Sequence, residues 1–358
     1  MKKVSTQDVC RSGAGSTSIP VFRLMIALLP VVFAGCEKLP LPKQTTEEVA
    51  APDSAPPPPS TPPSPERTPE QIVEEFQALQ PALRNDENLE ELSELAWAQN
   101  EMNELILSGG AITDGGAKLL PKFTAVTTLH LAHTPISGAA LESVTQMPSL
   151  ETLVLDGISI GEEPYAALAD APGLTSLSLA ETGVGDGVFM YLAELEGLES
   201  LNVSGNPLIL GGEFSQLVKE DHFAELVHLQ AGDTQFGFYG LQQLGRLENL
   251  QTLSVAKSAV GNESLQGLRR CTALKELDLS DNNVSDQGLT ALTGLKDLEV
   301  LHLKGCLAIT NDGLKRLRGL RNLRRLSLDG TMCTVEEAQK LKDSSLTEAT
   351  ITLAGQEL

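Results

Sequence analysis

Few side chains in this sequence could do chemistry, and their spacing says little in favour of any. His130 and His133 stand three apart with Asp156 downstream, and a metal site drawn from them would lack the fourth ligand of a tetrahedral centre. The whole chain has five His, so other metal-binding material is scarce and no metal site is expected. No G-x-S-x-G, H-E-x-x-H or Walker-type loop occurs, and the five Cys form no C-x-x-C pair. No candidate nucleophile has a visible base. The expectation is no catalytic residue, no cofactor and no enzyme.

Composition narrows the partners. Asp and Glu outnumber Lys and Arg by 48 to 26, a formal net charge of −22 that argues against nucleic acid. Aromatics make up 4 % of the 358 residues, with one Trp, too few for the anchors of sugar or nucleotide pockets. Apolar residues still reach 41 %, and Leu is abundant. Such a core is built from one repeated small side chain.

The elements that position everything else come from that repetition. The pairs Leu105/Leu107, Leu129/Leu131, Leu153/Leu155, Leu177/Leu179 and Leu201/Val203 recur every 24 residues. Leu229/Ala231, Leu253/Val255, Leu277/Leu279, Leu301/Leu303, Leu326/Leu328 and Ile351/Leu353 continue the series, with one interval of 28 and two of 25. Such alternation makes a short strand with both apolar residues on one side. Three residues on stands a small side chain suited to backbone bonding where the strand turns: Thr134, Thr182, Asn206, Thr234, Ser258, Asn282, Cys306 and Thr331. Next come an apolar residue and a stretch such as Val284-Ser285-Asp286-Gln287-Gly288-Leu289, which reads as an N-cap opening a helix. Leu289, Leu292 and Leu295 would turn that helix's apolar stripe to the strand. One unit cannot bury both Leu-lined faces, but stacked neighbours can.

Units such as residues 301–314 resemble the cysteine-containing, ribonuclease-inhibitor-like class of leucine-rich repeats. The expected fold is α/β, a leucine-rich-repeat solenoid or horseshoe of about eleven strand-turn-helix units over residues 101–358. Its strands would form a parallel sheet on the concave side. Residues 68–100 read as a helical N-terminal cap: Thr68-Pro69-Glu70-Gln71 is a capping box, Ile72, Phe76 and Leu79 line one face, and Leu89, Leu92 and Leu95 line a second helix near Trp97. At the other end the strand at 349–353 is followed by five residues, so an exposed edge, or one paired with another chain, is expected. In the repeat, Cys306 takes the small-polar position, while Cys271 and Cys333 read as core. A Cys306–Cys333 bridge is the alternative in an oxidising compartment.

Residues 1–35 read as an export signal: Lys2, Lys3, Arg11 and Arg23 precede an apolar run from residue 24, too short to span a bilayer. The run ends in Phe33-Ala34-Gly35-Cys36, which resembles the lipobox of bacterial lipoproteins. The resemblance implies that Cys36 is lipid-modified and becomes the mature N-terminus, anchored at the bacterial cell envelope by two or three acyl chains. Glu37, in a place where Asp would signal retention, favours the outer over the inner membrane. The competing reading is an ordinary secretory signal with an unmodified Cys36. Residues 36–67 then form a Pro-rich, disordered stalk, with 10 Pro between 37 and 67.

Two irregularities mark candidate partner sites. The 28-residue unit at 201–228 has extra residues near Leu210-Gly211-Gly212-Glu213. Phe214, Phe223, Phe236, Phe238 and Tyr239 follow, 5 of the chain's 13 aromatics. They either repack the core around the insertion or expose an aromatic patch, for which Phe238 and Tyr239 are the candidates. The second irregularity is charge. Residues 37–250 carry 8 Lys and Arg against 33 Asp and Glu, whereas 251–358 carry 14 against 14. Lys315, Arg316, Arg318, Arg321, Arg324 and Arg325 crowd into one helix, its loop and the next strand. They form either a solvated face or a docking site for an acidic protein, a lipid head group, an anionic cell-wall polymer, or the acidic half of another copy. The reading as a whole is a non-catalytic, lipid-anchored module that binds a protein partner. The alternatives are a self-associating or polymer-binding envelope protein and, behind it, the substrate-recruiting part of an enzyme complex.

Overall fold

Apolar-x-apolar triplets one repeat apart stack as strands because each pair buries its two side chains against the pairs before and after it. The computed structural model describes residues 67–358 apart from Pro172, so the export signal, Cys36 and nearly all of the stalk lie outside the described residues. Eleven strands follow in chain order: β1 (Glu104–Ile106), β2 (Thr128–His130), β3 (Thr152–Val154), β4 (Ser176–Ser178), β5 (Ser200–Asn202), β6 (His228–Gln230), β7 (Thr252–Ser254), β8 (Glu276–Asp278), β9 (Val300–His302), β10 (Arg325–Ser327) and β11 (Thr350–Leu353). All are parallel, each paired with the next, in the register of the repeat: Leu105 opposite Leu129, Leu277 opposite Leu301. This is the leucine-rich-repeat solenoid that the spacing predicts.

Three devices lock one repeat to the next. In most repeats the small side chain after the strand is buried and caps a carbonyl: the Thr134 hydroxyl donates to Leu131 O at 2.6 Å, and the Asn282 amide donates to Val255 O and Leu279 O at 2.7 and 3.0 Å. Cys306 fills the same place, its thiol donating to Leu279 O at 3.2 Å. One residue earlier the backbone is left-handed in every repeat, by glycine at Gly157, Gly205 and Gly305 and by His133, Glu181, Asp233, Lys257 and Asp281 between them. A Cβ on Gly157 would meet the His133 ring at 2.1 Å, so glycine there makes room for the bulkier turn residue of the preceding repeat.

The third device adds to the sequence reading. The Thr of the stretch does open the helix in several repeats, as where the Thr113 and Thr310 hydroxyls accept the Gly115 and Asp312 N–H groups. The Asp at 114, 186 and 286 accepts from the next repeat. Asp286 takes the Thr310 N–H at 2.8 Å and its hydroxyl at 2.6 Å, Asp114 does the same for Ser137, and Asp186 accepts from Leu210, Gly211 and Gly212. The segment over Leu289, Leu292 and Leu295 is a 3₁₀-helix, Gly288–Gly294, with no side-chain cap. An unbroken spacing of three is the 3₁₀ period, and those leucines share one face at three residues per turn. All three are fully buried.

Both ends carry further elements. The capping box forms at Thr68, with Gln71 N donating to the Thr68 hydroxyl, and opens helix Pro69–Ala78. Helices Asp86–Ser93 and Ala96–Asn100 follow, and Phe76, Leu89, Leu92 and Ala98 join one continuous core with Leu105 and Leu107. At the far end a short strand, β12 (Gln356–Glu357), pairs antiparallel with β11, Leu353 opposite Gln356. A hairpin with Ala354 and Gly355 in left-handed conformation lays β12 along the Thr352–Leu353 end of β11, and the exposed β12 becomes the terminal edge of the sheet. Cys271, Cys306 and Cys333 are all free thiols, so the Cys306–Cys333 bridge is not formed.

Candidate interaction surfaces

The long repeat owes its length to two separate insertions, not to one near Gly211. In most repeats the capping residue and the next apolar residue are two apart, as in Thr182 and Val184. In this one, Asn206 and Ile209 are three apart, and Leu208 is pushed out to 66 % exposure. Three more residues lie between Phe214 and Phe223, where α-helix Gly212–Lys219 is longer than the five-residue helix Val188–Leu192 of the preceding repeat, and the chain exits through left-handed Asp221 and Phe223.

The aromatics divide accordingly. Phe214, Phe223 and Phe236 are buried and pack with Phe189, ring centroids 5.1 Å apart for Phe189–Phe214 and for Phe214–Phe223. These rings fill the volume that the wider repeat opens. Phe238 and Tyr239 stay outside at 54 % and 51 % exposure, their centroids 6.3 Å apart. The 207–212 segment runs beside them, held by Gln235, whose N–H donates to Ile209 O and whose amide donates to Pro207 O. Leu208, Leu210, Phe238 and Tyr239 thus lie along one edge of the stack, where the strands turn outward. The repeat of β9 carries the same one-residue insertion at Cys306–Ile309, and it exposes Leu307 there beside Met332 of the next repeat.

The basic cluster is exposed but does not form one site. Lys315 pairs with Asp312 at 2.5 Å, which holds that carboxyl below its usual range, and Arg316 donates to the Thr290 hydroxyl at 3.0 Å. Arg318 and Arg321 have no ion-pair partner among the described residues, and Arg324 pairs with Glu348. Arg325 is in β10 and points to the open sheet face with Ser327. The buried layer of Leu317, Leu320 and Leu326 separates it from Lys315 and Arg316 on helix Asn311–Leu317.

On the open sheet face the central column is Ile106, His130, Val154, Ser178, Asn202, Gln230, Ser254, Asp278, His302, Ser327 and Thr352. Strand spacing brings successive members into contact. Asn202 donates to the Ser178 hydroxyl at 3.0 Å, and that hydroxyl donates to Asp156. His130 lies 3.1 Å from Glu104, and His133 turns away from it toward Gly157. Among the described residues no group of three or more His, Cys, Asp or Glu could hold a metal ion. One contact escaped the sequence reading: His302 Nδ1 is 2.9 Å from Ser327 Oγ, with Asp278 in register on the next strand. Asp278 Oδ1 accepts the Ser280 N–H at 2.9 Å, and the His302–Ser327 pair repeats the strand-to-strand contact of Ser178 and Asn202.

Residues 270–292, one unit around β8, match a family described as Leucine Rich repeat. No curated protein matches the chain. Among solved structures, an internalin from Listeria monocytogenes is 20 % identical, with a TM-score of 0.47 over 80 % of this chain and 94 % of that one.

Proposed function

We propose that this chain is a non-catalytic protein-interaction module, exported and lipid-anchored through Cys36 to the bacterial cell envelope, with the outer membrane its favoured location. The observation that carries the interaction reading is the exposed apolar edge of Leu208, Leu210, Phe238 and Tyr239 on a rigid stack. Exposed apolar side chains gathered along one edge mark contact sites on proteins, with aromatics as the usual anchors. Support for the anchor is sequence alone: the lipobox-like Phe33-Ala34-Gly35-Cys36 after an apolar run, followed by a Pro-rich spacer. The non-catalytic reading rests on a sequence in which no candidate nucleophile has a visible base, and on a sheet-face column of mostly small or polar side chains.

A photo-crosslinking residue at position 239 in producing cells should trap a defined protein, whereas one at position 230 on the sheet face should not. Adducts at 230 and none at 239 would refute the edge. A second reading, head-to-tail association of copies, is favoured by the contrast between the acidic N-terminal and charge-balanced C-terminal parts. It predicts sedimentation that rises with concentration and falls back with salt; concentration-independent sedimentation would remove it.

A further inference from the structure

The 3₁₀ segments Gly240–Arg246 and Ser264–Arg270, on the repeats of β6 and β7, border a groove that no sequence motif announced. Two adjoining openings of about 360 and 400 Å³ share Gln242, Gln266 and Gly267. The floor is bare because it must be: a Cβ on Gly267 would lie 1.8 Å from Leu241 O, and one on Gly245 would lie 2.9 Å from the Arg270 Cβ. Repeats approach too closely there for any side chain. Along its length the groove changes chemistry. Phe238 stands at one end near Glu263, the amides of Gln242 and Gln266 line the middle, and Arg246, Arg269 and Arg270 close the other end. Arg246 is paired with Asp221 at 2.7 Å, while Arg269 and Arg270 are exposed with no ion pair among the described residues.

We propose that this groove binds an extended, acidic peptide segment of a partner protein. An aromatic or aliphatic side chain of the segment rests on Phe238, its backbone bonds to the Gln242 and Gln266 amides, and its carboxylates meet Arg269 and Arg270. The graded lining favours a peptide over a uniform polyanion, which would present the same groups to Phe238 as to the arginines. Glu263 fixes the direction by repelling carboxylates from the aromatic end. The proposal rests on the protein-interaction reading above and names the partner's chemistry.

The test uses the purified full chain and fluorescein-labelled peptides that carry one Phe and a run of Glu, separated by Gly-Ser spacers of graded length. At least one spacing should bind and weaken with salt. Arg269→Glu with Arg270→Glu should reduce binding about tenfold or more, and Arg269→Gln with Arg270→Gln by less, as expected for charge contacts on an open surface. Phe238→Ser should weaken the Phe peptide but leave a Ser-substituted peptide unchanged, the signature of a direct pair. The proposal is overturned if no spacing binds better than a scrambled peptide. Equal binding of polygalacturonate to wild type and Phe238→Ser also overturns it, since the site would then be a general polyanion surface. A native partner retained in full by the Arg269→Glu, Arg270→Glu variant would sink the groove and leave the protein-interaction reading standing.

Discussion

A single buried amide shows how much one side chain carries in this fold. Asn282 donates to Val255 O and Leu279 O and accepts the N–H groups of Ser258 and Val260, so it joins two repeats. Asn282→Ala strands several buried backbone groups at about 1–3 kcal/mol each when unmade, and should cost about 2–4 kcal/mol in denaturant melts. The free thiols report on the same interior. Burial raises the Cys271 thiol to about 12 and the Tyr165 phenol to about 12, from 9.0 and 10.0. The folded state keeps both neutral while the unfolded chain ionises. Their contribution is therefore complete below pH 9 and is lost as pH climbs toward 12. Stability should fall over that window, and Cys271→Ala should make the fall shallower. In native protein a thiol reagent should modify half-buried Cys333 well before Cys271 or Cys306.

At the scale of elements, what was legible depended on distance along the chain. Strand positions, the capping residues and the N-terminal capping box are local patterns, and they could be read directly. The acceptor role of Asp286 could not, because its partner Thr310 is a full repeat away and a local N-cap explains the same residues. The helix over Leu289 and Leu292 is legible from its spacing, and its 3₁₀ form follows from the unbroken interval of three rather than from any cap. Terminal strand β12 is two residues long and carries no periodicity to detect. Phe238 and Tyr239 were singled out because they break the repeat, whereas Arg246, Arg269 and Arg270 converge only through stacking. The central element prediction is Leu277→Ala. This side chain is fully buried in β8 between Leu253 and Leu301. Removing it should cost about 2–5 kcal/mol through the cavity left behind. A loss near that of a surface change, below about 1 kcal/mol, would place Leu277 outside the core.

For the molecule as a whole, stacking repeats one exposed feature at regular intervals along an edge. Leu208 and Leu307 protrude from equivalent insertions four repeats apart, roughly 20 Å along the edge at about 4.8 Å per strand. A partner that spans both would pass Phe238 and Tyr239, the aromatic anchors of that edge. The open sheet face, by contrast, satisfies many of its own polar groups and offers few anchors.

The most direct measurement is affinity capture from the envelope of producing cells with wild-type chain, the Phe238→Ser, Tyr239→Ser variant and the sheet-face variant Gln230→Ala, all equally folded by melting temperature. The account predicts one protein retained by wild type and Gln230→Ala and depleted about tenfold or more by the edge variant, the scale of losing aromatic anchors. A protein that survives the edge substitutions but is lost with Gln230→Ala would contradict it, and so would recovery of nothing but the chain itself.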